Sequence, residues 1–428
     1  MKLAAAVAAQ TALVQALLDG VAAVGADPPA ITREAYGPGE NAAQAQIRAA
    51  GQRLGLQAST DAGANLTLRW AAASPTAAPV LLGSHLDSVV QGGNFDGAAG
   101  VVAGLGAVAA LQAAGLRPRR DIEVLALRCE EAVWFGLGLI GSRCLLGRLP
   151  ADALELPHAR GGRSLAGSIE ACGGDAAALR RNAPLRDPQG IGAYLEVHIE
   201  QAPQLVEAGA PVAVCLANPG NLRHPFIRIH GEEAHTGLPH RFRHDAALAG
   251  ADLALELERL WLAEEAAGRP MAVTIGRFHT PAARHSLTSV SGGFELSLDL
   301  RAYSAAHLAA LEVRLGEVVA QVAQRRGVRI ELGERSTAAP GLMDPALVAG
   351  LGAAAERAGV AAPQLNSPGS HDANNFAAAG VPTGMLLVRN RNGSHNPHEA
   401  MDTADLMAAI GVLAEWLRTH ACEGAEAP

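Results

Sequence analysis

The chain has 428 residues, 34 Lys plus Arg against 42 Asp plus Glu, and a formal net charge of −8. That length is long for one hydrophobic core, so two domains are expected. The acidic balance leaves no basic stripe to neutralise phosphates and argues against a nucleic-acid partner.

Leu13, Leu17, Leu18 and Val21 recur at helical spacing, and Gln10 and Gln15 interrupt the apolar run. An amphipathic first helix is therefore expected rather than a signal peptide. No run of 18 apolar residues occurs, so no membrane span is expected. Val80-Leu81-Leu82 then leads into His85-x-Asp87, with Asp96-Gly97 following and a small-residue helix from Gly97 to Ala114. Ile122 to Leu127 reads as a strand buried on both faces, and it runs into Cys129-Glu130-Glu131. Gly136-x-Gly138-x-x-Gly141 follows no strand directly and lacks the acid that a dinucleotide site needs, so it reads as a turn into a helix. Residues 158–190 are rich in Gly, Arg and Pro and predict an irregular excursion. Tyr194 to Glu200 alternates polar and apolar residues and carries His198.

Asn218-Pro219-Gly220 marks a break, after which the patterning changes. Pro225 to His230 reads as a strand, and Asp245 to Ala263 as a helix with Leu253, Leu257 and Leu260 on one face. Phe294, Leu296, Leu298 and Leu300 alternate with polar residues, as in a sheet with one wet face. A helix over Leu308 to Val322 and a strand over Arg329 to Glu334 complete an α+β unit. The α/β pattern then resumes, and Thr383 to Val388 leads into Gly393-Ser394-His395-Asn396-Pro397-His398-Glu399.

Four hydrophobic strands thus end in His, Asp or Glu. In an α/β sheet such strand ends line one cleft, and these residue types suit a divalent cation. Lys2 is the only lysine. Schiff-base, Walker-type and Cys-Glu-Lys amidase chemistries all need a lysine inside the fold. No G-x-S-x-G elbow is present either. The five cysteines are scattered, with no C-x-x-C pair, which suits a reducing cytoplasm.

The ordered set GSHLDS…GGNFDG, EEAVWFG…GSR, LEVHIEQ and NGSHNPHE resembles the M20-type metal-dependent amidohydrolases. More narrowly, it resembles their hydantoinase/carbamoylase branch, and the motifs span residues 85 to 399. The resemblance implies an α/β catalytic domain with a mixed sheet (residues 1–217 and 334–428) and an inserted α+β lid and dimerisation domain (218–333), working as a homodimer. It implies two divalent metal ions, zinc or else manganese, cobalt or nickel. Asp96 would bridge them, with His85 and His198 completing one site and Glu131 and His395 the other. Asp87 would orient His85, and a cis peptide is expected at Asp96-Gly97. Glu130 would act as general base, His235 would stabilise the oxyanion from the partner subunit, and Arg301 would clamp a substrate carboxylate. Gln201 and His371 match positions near the substrate.

Three positions depart from the family pattern. Thr288 stands where Asn is frequent, Ala202 replaces Gly, and the segment after His235 is one residue short. All three bear on substrate identity. The implied activity is hydrolysis of a linear amide or ureide, with an N-carbamoyl-L-amino acid as leading substrate. Allantoate or N-carbamoyl-β-alanine hydrolysis, an aminoacylase or dipeptidase activity, and an inactive metal-binding dimeric scaffold are the alternatives. The Glu130-Glu131 pair argues against the scaffold, which has no use for a base beside a ligand.

Overall fold

The computed structural model describes residues 1–424. Two units make up the chain: Met1–Asn218 with the segment from Leu342 onward, and Pro219–Gly341 between them. The expected boundary at 333/334 moves to 341/342. Ser336–Ala338 pairs antiparallel with Gly220–His230 and so stays with the inserted sheet.

The first unit is built on an eight-stranded mixed sheet. Its four central strands, Thr383–Val388, Ala193–Ile199, Val80–His85 and Ile122–Leu127, run parallel and side by side. Antiparallel neighbours, Val212–Cys215 and Leu66–Trp70, flank them. Every residue of the four central strands is buried, which is why their sequences are nearly continuous apolar runs. The polar residues along 194–200 turn into buried partners rather than solvent. Glu196, for example, accepts from the Ser84 hydroxyl and the Ala373 N–H, both at 2.8 Å.

Ala98–Ala113 forms a helix of small residues that is buried almost end to end. A Cβ at Gly100 would strike the Val197 carbonyl oxygen, so glycine sets how closely this helix approaches the sheet. The N-terminal segment forms two helices, Leu3–Ala8 and Thr11–Val24, that bury Val14, Leu17, Leu18 and Val21. Taken together, Leu3–Val24 is long and apolar enough to cross a membrane by length and composition alone, with a mean hydropathy of 1.5. Gln10, Gln15 and Asp19 still break the stretch, so it holds no uninterrupted run of 18 apolar residues. The 136–141 glycines lead into the helix Ile140–Leu145, as their turn reading expects.

In the second unit, Met271–Thr274, Gly293–Ala302, Gly220–His230 and Arg329–Glu331 form an antiparallel sheet. Burial along Gly293–Ala302 alternates residue by residue. The helices Ala246–Ala266 and Ala305–Arg326 pack on the apolar face through Leu253, Leu257, Leu311 and Leu315. The register against Gly293–Ala302 slips between His224 and Ile227. Pro225 lies there, and a proline has no N–H to give to the ladder.

Candidate metal centre

The carboxyl ends of the four parallel strands bring together His85, Asp96, Glu130, Glu131, His198 and His395 from among the residues that the sequence singled out. His85 ends its strand and His198 lies one residue before the end of its own. Past Leu127 the chain bends at Cys129, whose φ of 51° is left-handed. The bend lets the neighbours Glu130 and Glu131 serve one cleft, which a straight strand would forbid. His395 follows the Thr383–Val388 strand, also with positive φ.

Asp96 stands between two groups of donors. Its Oδ1 lies 3.1 Å from His198 Nε2 and 3.5 Å from His85 Nε2. Its Oδ2 lies 3.5 Å from His395 Nε2, which in turn is 3.4 Å from Glu131 Oε1. His85, Asp96 and His198 form one triad able to hold a metal ion, and Asp96, Glu131 and His395 form another. The donor chemistry fits a cation. His85 Nδ1 is 3.0 Å from the Asp87 carbonyl, and His198 Nδ1 is 2.9 Å from the Ile199 carbonyl. Both Nδ1 atoms are thus engaged as donors, leaving the Nε2 lone pairs turned toward Asp96. Both Nε2 atoms and Glu131 Oε1 are buried without a hydrogen-bond partner. Three such orphans converging on one carboxylate are costly unless a ligand completes them.

Asp87 does more than orient His85. Its Oδ1 lies 3.3 Å from His85 Nδ1, and its two oxygens also accept the backbone N–H groups of Glu130 and Glu131 at 3.0 and 3.1 Å. One buried carboxylate thereby fixes both acids and a histidine. Glu130 Oε2 sits 3.8 Å from His85 Nε2. Burial holds the Glu130 carboxyl well above the usual range; His85 opposes this, and Glu131, Asp372 and Asp96 reinforce it.

The Asp96–Gly97 peptide is not cis; the cis peptide among the described residues is Pro28–Pro29. The turn is made instead by Gly97 at φ 66°, where a Cβ would strike the His85 ring. Gly97 thus meets both demands, a left-handed backbone and a ligand ring packed against it. Gln201 donates from Nε2 to Asp96 Oδ2 at 2.7 Å. His371 is buried, with its ring 4.1 Å from that of His198 and Nε2 2.7 Å from the Ser367 hydroxyl. Burial first, and then His198, hold its imidazole well below the ordinary value.

His235, Thr288 and Arg301 belong to the second unit. His235 and Thr288 are exposed and adjoin one another: Ala234–His235 pairs with Ser289–Val290, and the Thr236 N–H donates to the Thr288 carbonyl at 2.8 Å. Arg301 donates to Asp299 Oδ2 from Nε at 3.3 Å and from a terminal nitrogen at 3.1 Å.

Sequence reasoning missed Arg33, which is fully buried. It donates to the Leu86 carbonyl at 2.6 Å and to the Asn94 side chain and carbonyl at 2.8 and 3.1 Å. One guanidinium thus ties both ends of the loop between Asp87 and Asp96. No motif surrounds Arg33, so the sequence carries no signal for it. Glu399 and Ser394 lie inside a motif that stands out in the sequence, but their residue types alone give them no role.

Residues 81–419 match the peptidase family M20/M25/M40. An N-carbamoyl-L-amino acid amidohydrolase of Geobacillus stearothermophilus is 33% identical over 386 residues, 90% of this chain and 91% of its own. The allantoate amidohydrolase of Escherichia coli K12 is 30% identical over 406 residues, 94% of this chain and 96% of its own. Among solved structures, a hydantoinase/carbamoylase family amidase from Burkholderia ambifaria superposes with a TM-score of 0.84 at 30% identity, covering 97% of this chain and 98% of that one. With the family match running from the His85 strand into the C-terminal helix, the chain belongs to the M20 family, in its hydantoinase/carbamoylase branch of amidohydrolases.

Proposed function

We propose that the chain hydrolyses an N-carbamoyl-L-amino acid to the amino acid, carbon dioxide and ammonia. The observation that carries the hydrolytic reading is the Asp87 fork, which holds Glu130 and Glu131 side by side at the mouth of two donor triads sharing Asp96. A ligand carboxylate paired with a second carboxylate left for proton transfer is what metal-assisted hydrolysis needs. The N-carbamoyl-L-amino acid amidohydrolase at 33% identity supports the substrate class. Allantoate is the second reading, favoured by the relative at 30% identity.

Two divalent ions, zinc or else manganese, cobalt or nickel, would bind at His85–Asp96–His198 and Asp96–Glu131–His395 and polarise both the attacking water and the carbonyl. Glu130 takes the proton from the attacking water and passes it to the leaving nitrogen. His235 supplies a donor to the oxyanion, and Arg301 pairs with the substrate carboxylate. His371, held neutral, and Gln201 border the reacting group, and Thr288 bears on substrate selection.

A homodimer is part of this reading. Leu248, Leu255 and Leu262 are 41%, 48% and 60% exposed, and they recur every seventh residue along Ala246–Ala266, opposite its buried face. A second copy is a natural cover for such a stripe. The five free cysteines suit the reducing cytoplasm.

The test is ammonia release from N-carbamoyl-L- and D-amino acids, N-carbamoyl-β-alanine and allantoate, before and after chelation and metal restoration. Release from the N-carbamoyl-L-amino acids that chelation abolishes and metal restores supports the proposal. Release only from allantoate or the β-alanine derivative moves the chain to that branch. No release from protein holding two metal ions overturns the ureide reading in favour of an acyl-amino acid or dipeptide.

A further inference from the structure

A bridging carboxylate must present two oxygens in two directions, so its backbone has to be held against rotation. Glu399 is placed to do that. It is 8% exposed, and its Oε1 accepts the backbone N–H groups of Phe95 at 2.8 Å and of Asp96 at 3.3 Å. Its other oxygen is 2.6 Å from the Ser394 hydroxyl, which is also 2.6 Å from Asp96 Oδ2, with one proton to share between them. A Cβ at Gly93 would strike the Glu399 carboxylate, so the loop is wrapped closely around it. Glu399 also lies four residues after His395, on the same segment. It therefore joins the loop carrying the bridging aspartate to the loop carrying His395, across about 300 residues of chain. Both of these ligands serve the Asp96–Glu131–His395 position, whereas the other position has two buried imidazoles of its own.

We infer that Glu399, assisted by Ser394, is a positioning residue that sets the affinity of the Asp96–Glu131–His395 position. This rests on the two-ion reading given above. Partners that orient a ligand from behind are typically worth ~10–100-fold in metal affinity.

The experiment is a calorimetric titration of the metal-free full chain with Co(II), with bound cobalt counted by elemental analysis and the fold checked by circular dichroism. Glu399→Ala should weaken one of two cobalt sites by ~10–100-fold and leave the other within a few-fold of the unsubstituted protein. Glu399→Gln keeps an oxygen acceptor for the two N–H groups and should recover most of that loss. Ser394→Ala should weaken the same site by a smaller factor. A general packing role would lower thermal stability without separating the two affinities and without rescue by glutamine. Two unchanged cobalt affinities in a folded Glu399→Ala protein overturn the inference. If Glu399→Ala does not fold, Ser394→Ala carries the test, and two unchanged cobalt affinities in that folded variant overturn the inference equally. Failure of the unsubstituted protein to take up two ions would instead sink the two-ion reading itself.

Discussion

Apart from His395, which is half-exposed, the candidate residues of the two units live under different physical conditions. In the first unit, His85, His198 and Asp96 are 0%, 1% and 4% exposed. Each is tied to named partners: Asp87, the Ile199 carbonyl, Gln201 and Ser394. In the second, His235 and Thr288 are exposed and Arg301 leans on its neighbour Asp299. Burial forces a polar group to find a partner or shift its pKa, so a buried site records its own purpose in the partners it recruits. An exposed histidine is under no such demand, and its role has to be established by function.

The sharpest way to break that contrast is Glu130→Gln. If the buried cleft is the reacting centre, this variant keeps its metal and loses ~10²–10⁴ in kcat, the span for general acid–base catalysis. Turnover near that of the unsubstituted enzyme, with metal content unchanged, removes Glu130 from the mechanism. His235→Ala tests the other side of the contrast. A lost oxyanion donor costs roughly 10²–10³ in kcat. Mixing the two variants sharpens the result, because activity regained on subunit exchange places the histidine across a dimer. No regain under demonstrated exchange places it within one chain.

The same difference governs what is legible in the sequence. Apolar runs leading into His85, Glu131 and His395 are legible because a strand buried on both faces has little other reason to end in ligand types, whereas His198 lies on a strand that alternates polar and apolar residues and is nonetheless buried throughout. The helix after Asp96 is legible from its small residues, but its backbone is not. The family resemblance implies a cis peptide at Asp96–Gly97, and a left-handed glycine makes the turn instead. Arg33 is invisible because a buried guanidinium serving carbonyls leaves no spacing signature. The boundary at 341 escapes for a related reason. Ser336–Ala338 is a three-residue edge strand, exposed throughout, and it offers no alternation to detect.

Two acids, one in each unit, should also answer pH in opposite directions. In the second unit the hydrogen bond from Arg326 holds Asp252 below the ordinary carboxylate range, so its contribution is present above the unfolded pKa and fades as pH falls. In the first unit Asp372 opens the helix Asp372–Ala378 fully buried. Its Oδ1 is 2.5 Å from the Ser142 hydroxyl, and its Oδ2 has no partner. Burial, with Glu196 adding to it, pushes this carboxyl up to about 7. A raised folded pKa means that stability is fully present below the unfolded value and is lost as pH rises through the folded one. Each tenfold displacement of a proton equilibrium is worth about 1.4 kcal/mol, so the metal-free protein should lose on the order of 2 kcal/mol between about pH 5 and 8 through this group. Asp372→Asn keeps an acceptor for Ser142 but cannot ionise, so its stability should fall by that much less over the same interval. Urea unfolding of both metal-free proteins at the two pH values measures the difference. Parallel pH dependence in the two would show that Asp372 is not the group that burial holds neutral, and would shift attention to Glu196 behind it.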